Sequence, residues 1–344
     1  HYFDTSLTFR SDSDFMIDNL SGLDFINYSM ETGESGGISD PGFQRDVEKF
    51  SQWLEDQPEV VHVDRFTNIM KRLNKNMHSD DDTFYRLPEE RDLAAQYLLL
   101  YEMSLPYGLD LNNQVNVDKS ATKVTATVGV LSSRAMIEFN DRALAWAQEN
   151  TTSVMETKSA GISLMFSYIG QRNIVAMLGG TTVALVLISG ILIIALRSPK
   201  LGFVSLLPNL APAAVGFGLW GIFVGQVGLS LSIVAGMTFG IVIDDTVHFL
   251  SKYLRARREK GLSSEDAVRY AFRTVGRALV VTTMTLVLGF SVLATSKFQL
   301  NSGMGMMTSI IITLALAMVF LMLPPLLLKI EKDVEYAKPV AEVA

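Results

Sequence analysis

Hydrophobic and polar positions divide this chain in two. Up to about Arg172 apolar residues alternate or recur in short runs, whereas from Asn173 onward long apolar stretches dominate. Five of these, at about 173–196, 201–224, 229–250, 278–295 and 303–328, have the roughly 20 residues needed to cross a hydrocarbon core about 30 Å thick. The second contains Pro208 and Pro212, and the others carry several Gly, Ser and Thr. Such residues are tolerated in membrane helices, where small side chains also let helices approach closely. In the third stretch Gly236 and Gly240 form a small-xxx-small face suited to that packing.

The first half predicts a layered α+β domain, 1–172, from two β-α-β patterns. In the first, Ile26, Tyr28 and Met30 alternate as in a strand. Asp40 and Pro41 then start a helix with Phe43, Val47, Phe50 and Leu54 at helical spacing, and Val60, Val61 and Val63 give the next strand. In the second, Val124, Ala126, Val128 and Val130 alternate with polar residues, and a helix with Met136, Phe139, Ala143 and Trp146 on one face follows. Between the patterns lie a polar stretch, HSDDDTFYRLPEER, and an apolar run from Leu93 to Leu109 with Tyr97, Tyr101, Met103 and Tyr107. These aromatics either line a hydrophobic path or fill the core between subdomains, and the core is the simpler expectation. Asp80, Asp81 and Asp82 read as a solvated loop, and neither His62 nor His78 has a partner pattern.

Charge sharpens this division. Through Arg172 there are 15 Lys and Arg against 27 Asp and Glu, and from Asn173 onward 14 against 9, so a total of −7 conceals nets of −12 and +5. Basic residues cluster after the first span (Arg197, Lys200), between the third and fourth (Lys252, Arg255, Arg257, Arg258, Lys260, Arg269, Arg273, Arg277) and after the fifth (Lys329, Lys332), whereas the loops at 225–228 and 296–302 offer only Lys297. An excess of Lys and Arg marks the cytoplasmic side. The acidic domain is therefore expected outside and the tail, 331–344, inside. Nucleic acid is not an expected partner of either half. A large outer domain needs an earlier span or signal to be exported, and none precedes it, so the chain is expected to be the C-terminal part of a longer polypeptide. With no cysteine and four histidines lacking ligand spacing, neither a disulfide framework nor a metal site is expected.

The third span carries the chemistry. In GIVIDDTVHFL two carboxylates, Asp244 and Asp245, stand in an apolar run, and ionisable groups at that depth cost several kcal/mol and survive mostly where they serve function. Counting from Leu229, Asp244 lies 15 residues in, about 22 Å along a core of about 30 Å. Adjacent helical positions point about 100° apart, so the two acids do not share a face, whereas Asp244 and His248 at i and i+4 do. Burial and a neighbouring carboxylate both disfavour the charged form, so one acid of the pair is a candidate for proton exchange. Thr282, Thr283 and Thr285 on the fourth span are candidate hydrogen-bond partners, although membrane threonines more often bond their own backbone. His248 reads equally as a relay member or an interfacial histidine. Beyond the third span, Ser263 to Asp266 forms a capping box, and Val268, Phe272 and Val275 predict an amphipathic helix lying along the inner membrane surface.

These features together resemble the C-terminal half of a resistance-nodulation-cell division superfamily exporter, of the MMPL or hydrophobe/amphiphile efflux type. The motifs are GxxxGIVIDDTVHF and GLSSEDAVRYAFRTVGRALVVTTMTLVLGF, and the opening YFDTSLTFRSDSDFMIDNLSGLDF is similar to the start of that family's second outer loop. The likeness covers nearly the whole chain up to Lys332, its spans corresponding to the last five of twelve. It implies proton-driven export of hydrophobic or amphiphilic molecules from the bacterial inner membrane, with no cofactor beyond the proton gradient. It further implies a periplasmic porter region of ferredoxin-like subdomains, relay roles for Asp244, Asp245 and His248, and, through the related sterol-sensing bundles, lipid-like cargo. Expected partners are membrane lipid, the substrate, the N-terminal half and further copies of the protein.

Two other classes compete with a transporter. A lipid- or sterol-sensing module would bind without pumping. An intramembrane aspartyl protease needs carboxylates facing one another, usually from two helices, which adjacent residues do not supply. No phosphate-binding loop with its lysine occurs, which argues against ATP-driven transport within this chain.

Overall fold

The computed structural model describes residues 3–20, 22–106, 111–225 and 229–331. Tyr107, Leu109, most of the 225–228 loop, Lys332 and nearly all of the tail lie outside the described residues. The chain forms two compact units, Thr8–Gln171 and His1–Leu7 with Arg172–Ala344.

In the first unit the order is α1 (Thr8–Asn19), β1 (Asp24–Glu31), α2 (Pro41–Glu55), β2 (Val60–Asp64), α3 (Phe66–Met77), α4 (Arg91–Ser104), β3 (Ala121–Val128), α5 (Ser133–Asn150) and β4 (Glu156–Ala160). Strands run antiparallel in the order β2-β3-β1-β4, so the two β-α-β patterns share one sheet rather than forming one each. Alternation sets which face is covered. Ile26, Tyr28 and Met30 of β1 and Val124, Ala126 and Val128 of β3 are fully buried, packed with Val47, Phe50 and Leu54 of α2 and Phe139 and Ala143 of α5. Each of the buried Val, Leu, Ile, Phe and Met side chains contributes roughly 1.5–3 kcal/mol. Val130 falls beyond β3 and is exposed, and Val61 is turned out at a register shift between Val60 and His62.

The local signals explain the helices. Asp40 caps α2 by accepting from the Gly42 and Phe43 amides at 2.8 and 2.9 Å, ahead of Pro41, whose missing N–H costs nothing at the first helical position. Trp53 and Trp146 stack at 5.2 Å and join Phe50 in an aromatic group tying α2 to α5. Tyr97 is buried, with its hydroxyl donating to Asn74 Oδ1 at 3.2 Å, and Tyr101 packs on the same core. Those two tyrosines therefore fill the core, while Met103 is exposed. Asp81 accepts from the Thr83 amide and Asp82 pairs with Lys75 in the expected solvated loop.

The second unit contains most of α6 (Ile162–Leu196), then α7 (Pro199–Phe223), α8 (Leu229–Arg258), α9 (Ser264–Ala271), α10 (Arg277–Ala294), α11 (Gln299–Leu321) and α12 (Leu323–Ile330). Among the described residues five helical stretches are long and apolar enough to cross a membrane. Some depart from the sequence expectation, and the third continues as helix to Arg258, about two turns past Leu250. The α6 helix begins about three turns before the apolar stretch, and the last stretch breaks at Met322, where Pro324 and Pro325 cannot donate to the preceding turn and start α12 instead.

Close packing falls at glycines other than those expected. A Cβ on Gly305 would lie 2.5 Å from Ala294 N and 2.6 Å from Phe290 O, and one on Gly216 would lie 2.8 Å from the Ile311 side chain. On Gly236 it would meet only Thr181 Oγ1 at 3.4 Å, and on Gly240 nothing within 4 Å. The α9 helix is capped by Ser263 as expected, but its apolar face, with Val268 and Ala271, is buried against protein together with Tyr253 of α8 and Leu327 of α12. A single wider π turn, Phe272–Gly276, then joins α9 to α10. At the same end Tyr253 donates to Glu331 Oε2 at 3.4 Å and Ser264 to the Glu331 carbonyl at 3.1 Å, securing α8 and α9 to the residue after α12.

Candidate functional site

The α8 helix delivers its two acids to different surroundings. Asp245 is 8% exposed, whereas the Asp244 side chain is 71% exposed and meets His248 Nε2 at 3.4 Å, one turn on. This division follows from the 100° step between neighbouring residues. Both acids and His248 border a cavity of about 630 Å³, whose other walls come from Gly240 and Ile241 of α8, Val275, and Ala278, Leu279, Thr282 and Leu286 of α10. The space is thus mostly apolar, with its charge-bearing groups on one helix.

The three threonines of α10 separate clearly. Thr282 donates to the Ala278 carbonyl at 3.0 Å and Thr285 to the Val281 carbonyl at 2.8 Å, so both satisfy their own backbone, as polar side chains in membrane helices commonly do. Thr283 is buried and faces the Asp245 carboxylate, but its hydroxyl closes no hydrogen bond of full geometry. Of the three, Thr283 is the one directed at the acid. Gly240 lines the cavity; Gly236 stands beside α6.

Two further residues of this region escape sequence reasoning. Thr246, fully buried next to Asp245, donates to Oδ1 of the buried Asn209 on α7 at 2.5 Å. This bond joins two spans through neutral side chains, and the available signal was an asparagine between Pro208 and Pro212 inside an apolar run. The opposite, packed side of α8 continues into a purely apolar group in which Val242 meets Met307, Ile311 and Ala315 of α11.

Comparison with known proteins decides the relationship. The MMPL family pattern matches residues 115–339, more than half of the sequence. The chain belongs to the MMPL family. That stretch holds the whole candidate site and all five membrane-spanning stretches. A Methanocaldococcus jannaschii protein, MJ1562, whose name describes it only as a membrane protein, is 29% identical over 154 residues, or 45% of this chain. The match covers 39% of the relative's length, so this chain corresponds to less than half of it. The MMPL chain is accordingly a multi-pass membrane protein of the resistance-nodulation-cell division superfamily.

Proposed function

We propose that this MMPL chain acts in proton-driven export of hydrophobic or amphiphilic, lipid-like molecules, with Asp245 as the coupling acid. The observation that carries the reading is a carboxyl group buried in a membrane-spanning helix beside a cavity of about 630 Å³. A charge there is costly unless compensated, and a proton removes the cost. Protonation therefore changes which surroundings α8 prefers, which is the differential energy that a two-state transporter needs. Asp244 and His248, paired on the cavity side, form the route by which a proton reaches or leaves Asp245.

Two β-α-β units, β1-α2-β2 and β3-α5-β4, separated by α3 and α4, and the strand order β2-β3-β1-β4 support reading the first unit as a porter domain of ferredoxin-like type. The loop charges support placing it outside the cytoplasm, with residues 331–344 inside, and the family likeness supports a bacterial plasma membrane as the location. The exposure of Asp244 and His248 supports a covering partner at that face, since half-exposed ionisable groups do not stand against lipid. A second helical repeat, as in many transporters, meets that need, and a homo-oligomer is a further level of assembly. A non-pumping lipid-binding module would leave the buried carboxyl group without a role. The test is export by the full-length protein in cells: Asp245→Asn and Asp244→Asn each abolish it while the folded amount in the membrane stays nearly unchanged. Proton-dependent export retained by both single variants overturns the relay reading.

A further inference from the structure

Asn209 holds an unusual position for a polar side chain at membrane depth. It is 1% exposed, its Oδ1 accepts from Thr246, and its Nδ2 is buried without a hydrogen-bond partner. Elsewhere in the spans hydroxyls favour their own helix, as in Thr238 to the Val234 carbonyl at 2.7 Å and Thr313 to the Ser309 carbonyl at 2.8 Å. Thr246 instead turns outward, and its approach to the Val242 carbonyl lengthens to 3.4 Å. The bond to Asn209 therefore fixes one rotational setting of α8 against α7.

What the amide nitrogen is for follows from its neighbour. An amide's oxygen and nitrogen are about 2.2 Å apart, which places Nδ2 within about 5 Å of the Thr246 hydroxyl, and the Asp245 Cα is about 3.8 Å from that of Thr246. Pro212 cannot donate to the Pro208 carbonyl, nor Pro208 to that of Val204, so α7 lacks two hydrogen bonds where Asn209 sits and bends there at lower cost. The charged groups acting on Asp245 are Asp244 and His248 of its own helix. Val275 and the α10 residues lining the cavity, and the α11 residues packed on α8, bring no charge.

We propose that Asn209 is a positioning residue for the coupling acid: its amide sets the rotation of α8 through Thr246, and its unpartnered Nδ2–H is a second donor, on the α7 side, that joins Thr283 of α10 in receiving the Asp245 carboxylate when the proton leaves. This rests on Asp245 being the coupling acid. The charged form of Asp245 then has a hydrogen bond waiting inside the membrane, and that bond turns α8 by a defined amount relative to α7. Without it the acid keeps its proton longer as the surroundings become alkaline.

The test is the rate at which dicyclohexylcarbodiimide, which reacts with protonated carboxyl groups in apolar surroundings, modifies the Asp245 peptide of the full-length protein in lipid, read by mass spectrometry across pH. At alkaline pH, where the unaltered protein is modified slowly, Asn209→Leu raises the rate about tenfold, as loss of a hydrogen bond to a charged group requires. Thr246→Val, a near-isostere that leaves the fold least disturbed, raises it by a smaller factor, and Thr246→Ser restores the unaltered rate. An unchanged pH profile in both Asn209→Leu and Thr246→Val overturns this inference while leaving Asp245 as the acid. Modification of Asp245 that does not vary with pH in the unaltered protein overturns the parent reading and this one with it.

Discussion

Gly305 provides a sign test of the packing that holds the cavity wall in place. A Cβ at this position would lie 2.5 Å from Ala294 N, 2.6 Å from Phe290 O and 2.9 Å from Leu293 C, all backbone atoms of α10. Carbon contacts settle at about 3.5 Å, so α10 and α11 must part by roughly 0.5–1 Å. Overpacking of this kind costs about 1–3 kcal/mol, and because the obstacle is backbone no side-chain rotation relieves it. Against this, alanine is favoured over glycine inside a helix by about 1 kcal/mol. Gly289, on α10 itself, isolates the favourable contribution, since a Cβ there meets nothing within 4 Å. Thermal unfolding of the purified chain in detergent should therefore show Gly305→Ala lowering the apparent Tm and Gly289→Ala holding or raising it. Equal or inverted effects would refute the claim that α10 and α11 touch backbone to backbone at this site.

Three further expectations follow from the same reasoning. Phe50→Ala removes the residue that joins Tyr28, Trp53 and Trp146 and should cost about 3–5 kcal/mol, seen as loss of the folded first unit by limited proteolysis. Asp40→Ala leaves two amides of α2 without their cap and should cost about 0.5–2 kcal/mol, measured as a lower denaturant midpoint of tryptophan fluorescence. Burial pushes the Glu48 carboxyl up, but hydrogen bonds from Lys71 and Thr67 with the charges of Arg65 and Lys71 outweigh it and hold it below its ordinary 4.5. Its contribution is therefore complete above that value and is lost as pH falls below it through the depressed folded value, so Glu48→Gln should flatten the acid limb of a stability–pH curve.

Particular residues show how far the sequence reached. The strands β1 and β3 were legible because Ile26, Tyr28 and Met30, and Val124, Ala126 and Val128, alternate on a half-buried sheet. The edge strand β4, ETKSA, was not, since one face is exposed and the other, Thr157 and Ser159, is only half-buried and polar, so it has no apolar signature to read. The spans were legible from length alone, but the break at Met322 depends on how Pro324 and Pro325 are used, and tandem prolines permit either a kink or a stop. Asp244 and Asp245 stood out because a charge in an apolar run is expensive. Asn209 and Thr246 did not, because neutral polar residues are common in membrane helices and gain meaning only once α7 lies against α8. Gly236 and Gly240 have packing spacing, yet spacing does not say which face a neighbour covers, and the tight contacts fell at Gly216 and Gly305.

The central claim is that a proton on Asp245 drives movement of an amphiphilic cargo. It is tested most directly by reconstituting the full-length protein in lipid vesicles, imposing a pH gradient, and following internal pH and a fluorescent lipid analogue in the same sample. The account predicts that cargo movement and proton flux rise and fall together and that both cease in Asp245→Asn. Cargo movement that persists in Asp245→Asn, or proceeds unchanged without the gradient, would contradict it.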